Sequence, residues 1–262
     1  MHKTEIHQLV NDQFAPTAAS YAVSAVHGDA EALAEAVALV DPQPADVVLD
    51  VATGAGHLAL ALAPHVARVV AFDMTESMLQ QTLATAGERG LTNVETMLGI
   101  AENLPFEDES FDVYTVRLAP HHFADVEASV REAARVLKPG GRYLVIDTTS
   151  PEDDVLDAQL NEIEVLRDPS HVRNCRPSDW RRMAEDAGLQ VVSLTDSSGG
   201  DGRVIDFDDW VARMRTPAEK ISRLREIFAA ASPGLKGLLD VRIEDGEIRF
   251  RLPQVNLLAI KR

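Results

Sequence analysis

One cysteine, Cys175, stands alone in 262 residues. It has no partner for an internal disulfide, and no Cys/His cluster has metal-ligand spacing, so disulfide frameworks and structural metal sites are excluded. Aromatic residues are scarce, at 5%. No stretch approaches the roughly 18 to 20 uninterrupted apolar residues that a membrane helix needs. The opening residues, MHKTEIHQLVNDQFAP, lack the apolar run and small-residue cleavage site of a secretory signal. Positive charge is short as well: 25 Lys and Arg against 42 Asp and Glu leave a formal net charge of −17. A nucleic-acid enzyme needs a basic track to neutralise phosphates, and here the basic residues are scattered while Glu107-Asp108-Glu109 and Glu152-Asp153-Asp154 oppose one. These absences point to a cytoplasmic protein acting on a small molecule, with no nucleic acid and no membrane as partner. Nothing in the composition assigns an oligomeric state.

What is present alternates. Leu33, Val37 and Val40 recur at helical spacing before Asp41-Pro42-Gln43-Pro44 ends the helix. Val47–Val51 is a short β-rich run without alternation, as expected of a strand covered on both faces. A glycine loop and an Ala/Leu-rich helix follow, and then a second such strand, Arg68–Asp73. Met78, Leu79, Thr82, Leu83 and Ala86 mark one face of a helix closed by Gly87 or Gly90. Strands are expected over Val94–Leu98, Phe111–Val116, Tyr143–Ile146 and Leu189–Leu194. Between them lie a helical stripe Val126, Val130, Ala133, Leu137, stopped by Lys138-Pro139-Gly140-Gly141, and a helix capped by Ser178 that runs to Ala187 and Gly188. Two segments interrupt the alternation: an amphipathic helix through Leu156, Leu160 and Ile163 followed by RDPSHVRNCRP, and one or two helices between Asp206 and Leu239. EIRFRLPQVNLLAIKR then reads as one long or two shorter strands. The pattern is that of an α/β chain with a doubly wound, mainly parallel sheet, the interruptions building a lid over the crevice at the strand ends.

The stretch LDVATGAGHLALAL decides the chemistry. Gly54-Ala55-Gly56-His57-Leu58-Ala59 fits the dinucleotide fingerprint G-x-G-x-x-G/A. Asp73, at the end of the second strand, is placed to accept hydrogen bonds from both hydroxyls of a ribose. These features suit NAD and S-adenosylmethionine equally. Asp50, at the end of the first strand, shifts the balance: a carboxylate there repels a diphosphate and favours the sulfonium and ammonium of S-adenosylmethionine. The alternative for Asp50 is a bond to the loop's own amides.

With these residues in view, the sequence resembles the class I S-adenosylmethionine-dependent methyltransferases, in particular the methyltransferase type 11 branch grouped with the ubiquinone/menaquinone C-methyltransferases. VLDVATGAG is similar to that family's first motif and VVAFDMTESML to its ribose-binding strand. GIAENLPFEDESFDVYTVR resembles its adenine-side loop and fourth strand, ARVLKPGGRYLVID the entry to the fifth, and QFAPTAASYAVSAVH the N-terminal segment folding over the cofactor. The resemblance implies a Rossmann-like, seven-stranded class I fold and a single methyltransferase domain over residues 1–262. Residues 1–44 would form a helical cover, 45–150 the cofactor half, and 151–176 and 203–240 the lid insertions.

It further implies that Asp50, Thr53, Gly54 and Gly56 border the methionine end and that Asp73 holds the ribose. Met74 would pack on the adenine face, with Ala101 and Glu102 at the adenine edge and Tyr21 and Arg117 closing the cofactor site. Arg117 has two further readings, a clamp on a substrate carboxylate or an ion pair with an acidic neighbour. Three departures stand out: Ile100 replaces an acidic residue that usually meets the adenine amino group, His57 replaces a third glycine, and the quinone enzymes' substrate signatures are missing.

Methyl transfer from a sulfonium needs alignment and exclusion of water, and a base only where the acceptor is a hydroxyl or a carbon acid. RLAPHHFADV follows the fourth strand, where the crevice opens. His121 and His122 are therefore the candidate bases or substrate ligands; the alternative is a loop histidine bonded to backbone. His27, His171 and Arg173 are candidates for substrate contact, and Phe14, Trp180 and Trp210 for helix anchors. Two other functions fit the same residues: an NAD(P)-dependent oxidoreductase, although no Tyr-x-x-x-Lys relay is present, and a protein that binds S-adenosylmethionine without catalysis.

Overall fold

Val48, Leu49, Asp50 and Val51 are all buried although consecutive. The cause is helical cover on both faces: Leu49 and Val51 pack into one apolar cluster, and Val48 into another on the opposite side of the sheet. The computed structural model describes residues 2–24, 27–197 and 203–262. Met1, Ala25 and Val26, which fall within the expected N-terminal cover, lie outside the described residues.

Ten strands form in chain order: β1 Val47–Val51, β2 Arg68–Asp73, β3 Val94–Leu98, β4 Phe111–Arg117, β5 Leu137–Thr148, β6 Leu189–Asp196, β7 Ile205–Asp206, β8 Arg242–Glu244, β9 Glu247–Phe250 and β10 Gln254–Lys261. Seven make one sheet in the order β3-β2-β1-β4-β5-β10-β6, and the other three pair as β7-β9-β8. In the large sheet β10 alone is antiparallel, inserted between β5 and β6. The expected mainly parallel, doubly wound sheet is therefore present. Its order reverses at β1, which has β2 on one side and β4 on the other, and the crevice outside such a switch point is where these sheets bind ligands.

The helices are α1 Lys3–Phe14, α2 Ala18–Ala22, α3 Ala30–Val40, α4 His57–Leu62, α5 Glu76–Glu88, α6 Val126–Val136, α7 Asp154–Arg167, α8 Pro177–Asp186, α9 Phe207–Arg213, α10 Ala218–Ala229 and α11 Pro233–Leu239. Asp29 caps α3, its carboxylate accepting from the amides of Glu31 and Ala32. Among the described residues no helix is long and apolar enough to cross a membrane.

Four local expectations are corrected. Leu83 is 47% exposed, because the buried face of α5 runs through Met78, Leu79, Thr82 and Ala86. Leu137 belongs to β5 rather than to α6, and Lys138–Gly141 is a register irregularity within that strand, since Phe111 pairs with Leu137 and Val113 with Arg142. Ser178 lies inside the first turn of α8, which begins at Pro177; its N–H and hydroxyl are both bonded to Glu152. Between Asp206 and Leu239 there are three helices, α9 to α11, not one or two. The C-terminal stretch forms two shorter strands, one of the two expected forms, and they divide between sheets: β9 joins the small one, while β10, with Val255, Leu257 and Ala259 turned inward, completes the large one.

The segment after β5 has a core of its own. Leu160 and Ile163 of α7 meet Phe207, Trp210, Leu224, Phe228, Leu239 and Phe250, a cluster distinct from those on the two faces of the large sheet. This block adjoins the carboxyl ends of β4 and β5.

Candidate active site

The loop leaving β1 is tied down from three sides. The Asp73 carboxylate at the end of β2 accepts the Gly54 N–H at 2.9 Å and the Thr75 N–H at 2.8 Å. The Thr53 N–H reaches the Phe72 carbonyl at 3.1 Å, and the Thr82 hydroxyl of α5 reaches the Gly54 carbonyl at 3.0 Å. Gly56 caps α4 at φ +82°, where a Cβ would lie 2.6 Å from the Thr82 side chain, so glycine is required there.

Asp50 is buried and accepts hydroxyl bonds from Thr115 and Thr53, both at 2.6 Å. A third bond comes from the Ala59 N–H in α4. Burial pushes the Asp50 pKa up to about 6 against the bonds from Thr115, Thr53 and Ala59. Burial also raises the Asp73 pKa, opposed by the amides of Gly54 and Thr75.

Both carboxylates face one concave cavity at the sheet's switch point, lined mostly by apolar side chains, the kind of site small molecules occupy. Of the residues expected at a cofactor, Tyr21, Asp50, Thr53, Gly54, Asp73, Met74, Ala101, Glu102 and Arg117 all line it. Gly56 does not; it shapes the loop from behind. Glu102 has a second task, accepting the N–H groups of Ala124 at 2.9 Å and Asp125 at 3.3 Å and so fixing the loop before α6. Ile100 lines the wall where the family usually carries an acid.

Residues that sequence reasoning did not place here include three from the N-terminal cover. His7, Val10 and Phe14 line the cavity from α1, Phe14 in place of the expected helix anchor. Gly99 joins them because a Cβ there would strike the Phe72 ring at 2.4 Å. His57, at the position of the missing third glycine, bonds the Tyr21 carbonyl at 2.8 Å and fastens α2 over the loop. The sequence carries one usable signal for the α1 residues, an apolar stripe through Ile6, Val10 and Phe14.

A second, wider cavity adjoins the first, and Phe14, Tyr21, His27, Arg117, Leu118 and His122 belong to the walls of both. His121 faces only the second. Its Nδ1 lies 2.6 Å from the Asp147 carboxylate, which also accepts the His121 N–H at 2.9 Å. Burial alone would lower the His121 pKa, but the Asp147 charge and hydrogen bond overcome it and hold the pKa above the ordinary value. The neighbouring ring of His122, with centroids 4.1 Å apart, goes the other way: burial and then the His121 charge push it down to about 3. His122 Nδ1 lies 3.1 Å from the Ser170 carbonyl, which can only accept, so Nδ1 carries the hydrogen and Nε2 keeps its lone pair.

The other expected substrate residues divide. His27 lies at the junction of the cavities. His171 and Arg173 line neither. His171 is buried beside His121, their ring centroids 5.4 Å apart, and Arg173 pairs with Asp157 at 2.9 Å. Both serve to brace the loop: the N–H groups of Val172 and Arg173 bond the His121 carbonyl at 2.8 and 3.2 Å. Trp180 and Trp210 are fully buried, each within a core cluster. Among the described residues no three His, Cys, Asp or Glu side chains are grouped so as to hold a metal ion.

The family model of the ubiE/COQ5 methyltransferases matches residues 25–165. The chain belongs to that family. It is 36% identical over 253 residues to YcgJ of Bacillus subtilis, an uncharacterized methyltransferase, which covers 95% of this chain and 98% of that relative. The crystal structure of YcgJ superposes with a TM-score of 0.82 over 88% of this chain and 98% of its own. The ubiquinone/menaquinone C-methyltransferase UbiE of Brucella canis is 32% identical over 180 residues, 60% of this chain and 67% of the relative. Family and fold together make the protein a class I methyltransferase, with helices flanking the seven-stranded sheet.

Proposed function

We propose that the protein transfers a methyl group from S-adenosylmethionine to a small molecule in the cytoplasm, with the first cavity holding the cofactor and the second the acceptor. The observation that carries this reading is the pairing of two buried carboxylates, Asp50 and Asp73, on one cavity wall beside a glycine loop that has no Lys or Arg. That set suits a donor with ribose hydroxyls and positive charge, and it disfavours a diphosphate. Asp73 would accept the ribose hydroxyls, since each of its oxygens keeps lone-pair capacity beside its one amide bond. Asp50 and Thr53 would face the methionine end, Met74 and Ala101 the adenine, and Tyr21 would close the site from α2. The chain as a whole would act as one domain, with residues 1–44 covering the cofactor and 151–176 and 203–240 covering the acceptor.

When bound, S-adenosylmethionine supplies a sulfonium methyl group whose C–S bond breaks as the acceptor's lone pair forms the new bond, leaving S-adenosylhomocysteine and one proton from a protonated acceptor. The protein's own work is alignment, exclusion of water and handling of that proton. His121 takes it. Asp147 fixes the hydrogen on Nδ1 and raises the basicity of the ring, so Nε2 is the atom that accepts. His122, neutral at pH 7, offers an Nε2 lone pair that orients the acceptor's X–H group at the junction.

The test is calorimetry with S-adenosylhomocysteine and NADH on the purified protein. Binding of S-adenosylhomocysteine without NADH is the expected result. NADH binding in its place would replace this reading with a nicotinamide-dependent one. Tight cofactor binding with no methylation across a broad acceptor panel would leave only a binding function.

A further inference from the structure

The protein's charge is −17 overall, and acidic side chains outnumber basic ones on the wall of the second cavity, yet arginines gather there as well. Arg117 at the end of β4, Arg167 at the end of α7 and Arg213 at the end of α9 line the second cavity, and Arg117 lines both. Their commitments differ. Arg167 is held: its Nε donates to the Trp210 carbonyl at 3.2 Å, its guanidinium lies 4.7 Å over the Trp210 ring, and a longer contact of 3.4 Å reaches Glu164. Arg117 donates one bond, to the His27 carbonyl at 3.0 Å, and makes no ion pair with a carboxylate among the described residues. Arg213 makes no hydrogen bond and no ion pair among the described residues.

Two partly buried guanidiniums without a carboxylate between them are costly, because each gives up water and repels its neighbours. The strain is visible in the surrounding groups. Burial and then the Arg167 cation lower the Arg213 pKa, and burial lowers that of Arg117. Burial pushes His27 down to about 3, with Arg213 and Arg117 the next largest causes. Tyr21 rises to about 12 through burial, against the pull of Arg167 and Arg213. Glu31, Glu35, Asp196 and Asp209 also line the second cavity; Asp209 pulls the Arg213 pKa back up, and Asp50 and Asp29 do the same for Arg117, without any of them forming an ion pair with either arginine. Asp29 caps α3 and pairs with Arg203 at 3.5 Å, and the Glu164 contact is with Arg167.

Taking the methyltransferase reading above as its basis, we propose that Arg117 and Arg213 form a seat for an anionic group, a carboxylate or a phosphate, carried by the methyl acceptor. The guanidinium fork matches the geometry of either anion. Arg117, shared by both cavities, sets that anion beside the place where the methyl is delivered. Phe14, Met214 and Leu252 offer apolar wall to the rest of the molecule. The acceptor is thus a small organic acid or phosphate ester whose charge Arg117 and Arg213 recognise and whose reacting atom faces His121 and His122.

The experiment titrates the S-adenosylhomocysteine-loaded protein with benzoate, phenyl phosphate and the uncharged benzamide, in the wild type, Arg213→Met, Arg213→Lys and Arg117→Met. At least one anion is expected to bind about tenfold or more tightly than benzamide. That preference should vanish in Arg213→Met, weaken in Arg117→Met and return in part in Arg213→Lys. S-adenosylhomocysteine affinity should stay unchanged in Arg213→Met, which also shows that the variant is folded. Equal binding of anions and benzamide, no binding of either anion, or a preference that survives Arg213→Met overturns the seat while leaving the cofactor reading intact. Failure of S-adenosylhomocysteine to bind the wild type overturns the cofactor reading, and the seat falls with it.

Discussion

The half of the chain that carries β1 to β5 and the block of α7, α9, α10 and α11 are built on different principles. In the first, the central strands β1, β2 and β4 are largely buried and the site is made by a glycine loop, amide bonds to Asp73, and threonine bonds to Asp50. In the second, three Phe and one Trp from distant segments make a compact core, and the site is made by long side chains at helix ends, Arg167 and Arg213. The contrast teaches that the proposed cofactor and acceptor sites rest on separate cores. Each is open to perturbation on its own.

The strongest break in that comparison is Trp210→Ala. Removing a fully buried Trp costs about 3 to 5 kcal/mol, and the loss should appear as a lowered thermal midpoint with S-adenosylhomocysteine affinity retained in the protein that remains folded. If affinity collapses with the core, the two halves are one cooperative unit. Next comes His121→Gln. With a hydroxyl acceptor the rate should fall by about a hundredfold. In the wild type the rate should rise with pH through an apparent pKa above 6.5, because the neutral ring is the active form, and this limb should be missing from the variant. An unchanged profile would remove His121 as the base.

Asp73→Ala sharpens the comparison from the other side. Losing charged hydrogen bonds worth about 1.5 to 3 kcal/mol should weaken S-adenosylhomocysteine binding by roughly 10- to 150-fold, with benzoate binding far less affected. Full affinity in a folded variant would refute the placement of the ribose. The smallest effect concerns Asp50. Its folded pKa, about 6, is raised above the ordinary 3.8, so its contribution to stability is complete below that ordinary value and is lost as pH rises through about 6. Asp50→Asn should flatten this part of the pH dependence of stability, by on the order of 2 kcal/mol between pH 5 and pH 8. Chemical denaturation at the two pH values measures it.

The strands β1, β2 and β3 carry the bounds expected from sequence, since a β-rich run closed by turn residues is a local signal. The boundary between α6 and β5 was less legible, because Leu137 satisfies the helical stripe and the strand equally and only its pairing with Phe111 decides. For the site, the loop residues and Asp73 could be named in advance because a tight turn and a strand end leave few alternatives. His171 and Arg173 could not be separated from His121, since all belong to loops whose packing depends on Asp147, Asn161 and Asp157. Nothing near Arg213 in the chain marks it: its neighbours at the junction, Arg117, Tyr21 and Arg167, arrive from three other segments.

By itself the sequence determined the alternation of strands and helices, the glycine turn and the two carboxylates beside it, because each depends on a few adjacent residues and their backbone preferences. Tertiary structure alone decided which histidine carries a raised pKa, which arginine is left without a carboxylate, and that β10 is inserted between β5 and β6. Those outcomes depend on burial and on charges brought together from distant parts of the chain, and neither is a property of any local stretch.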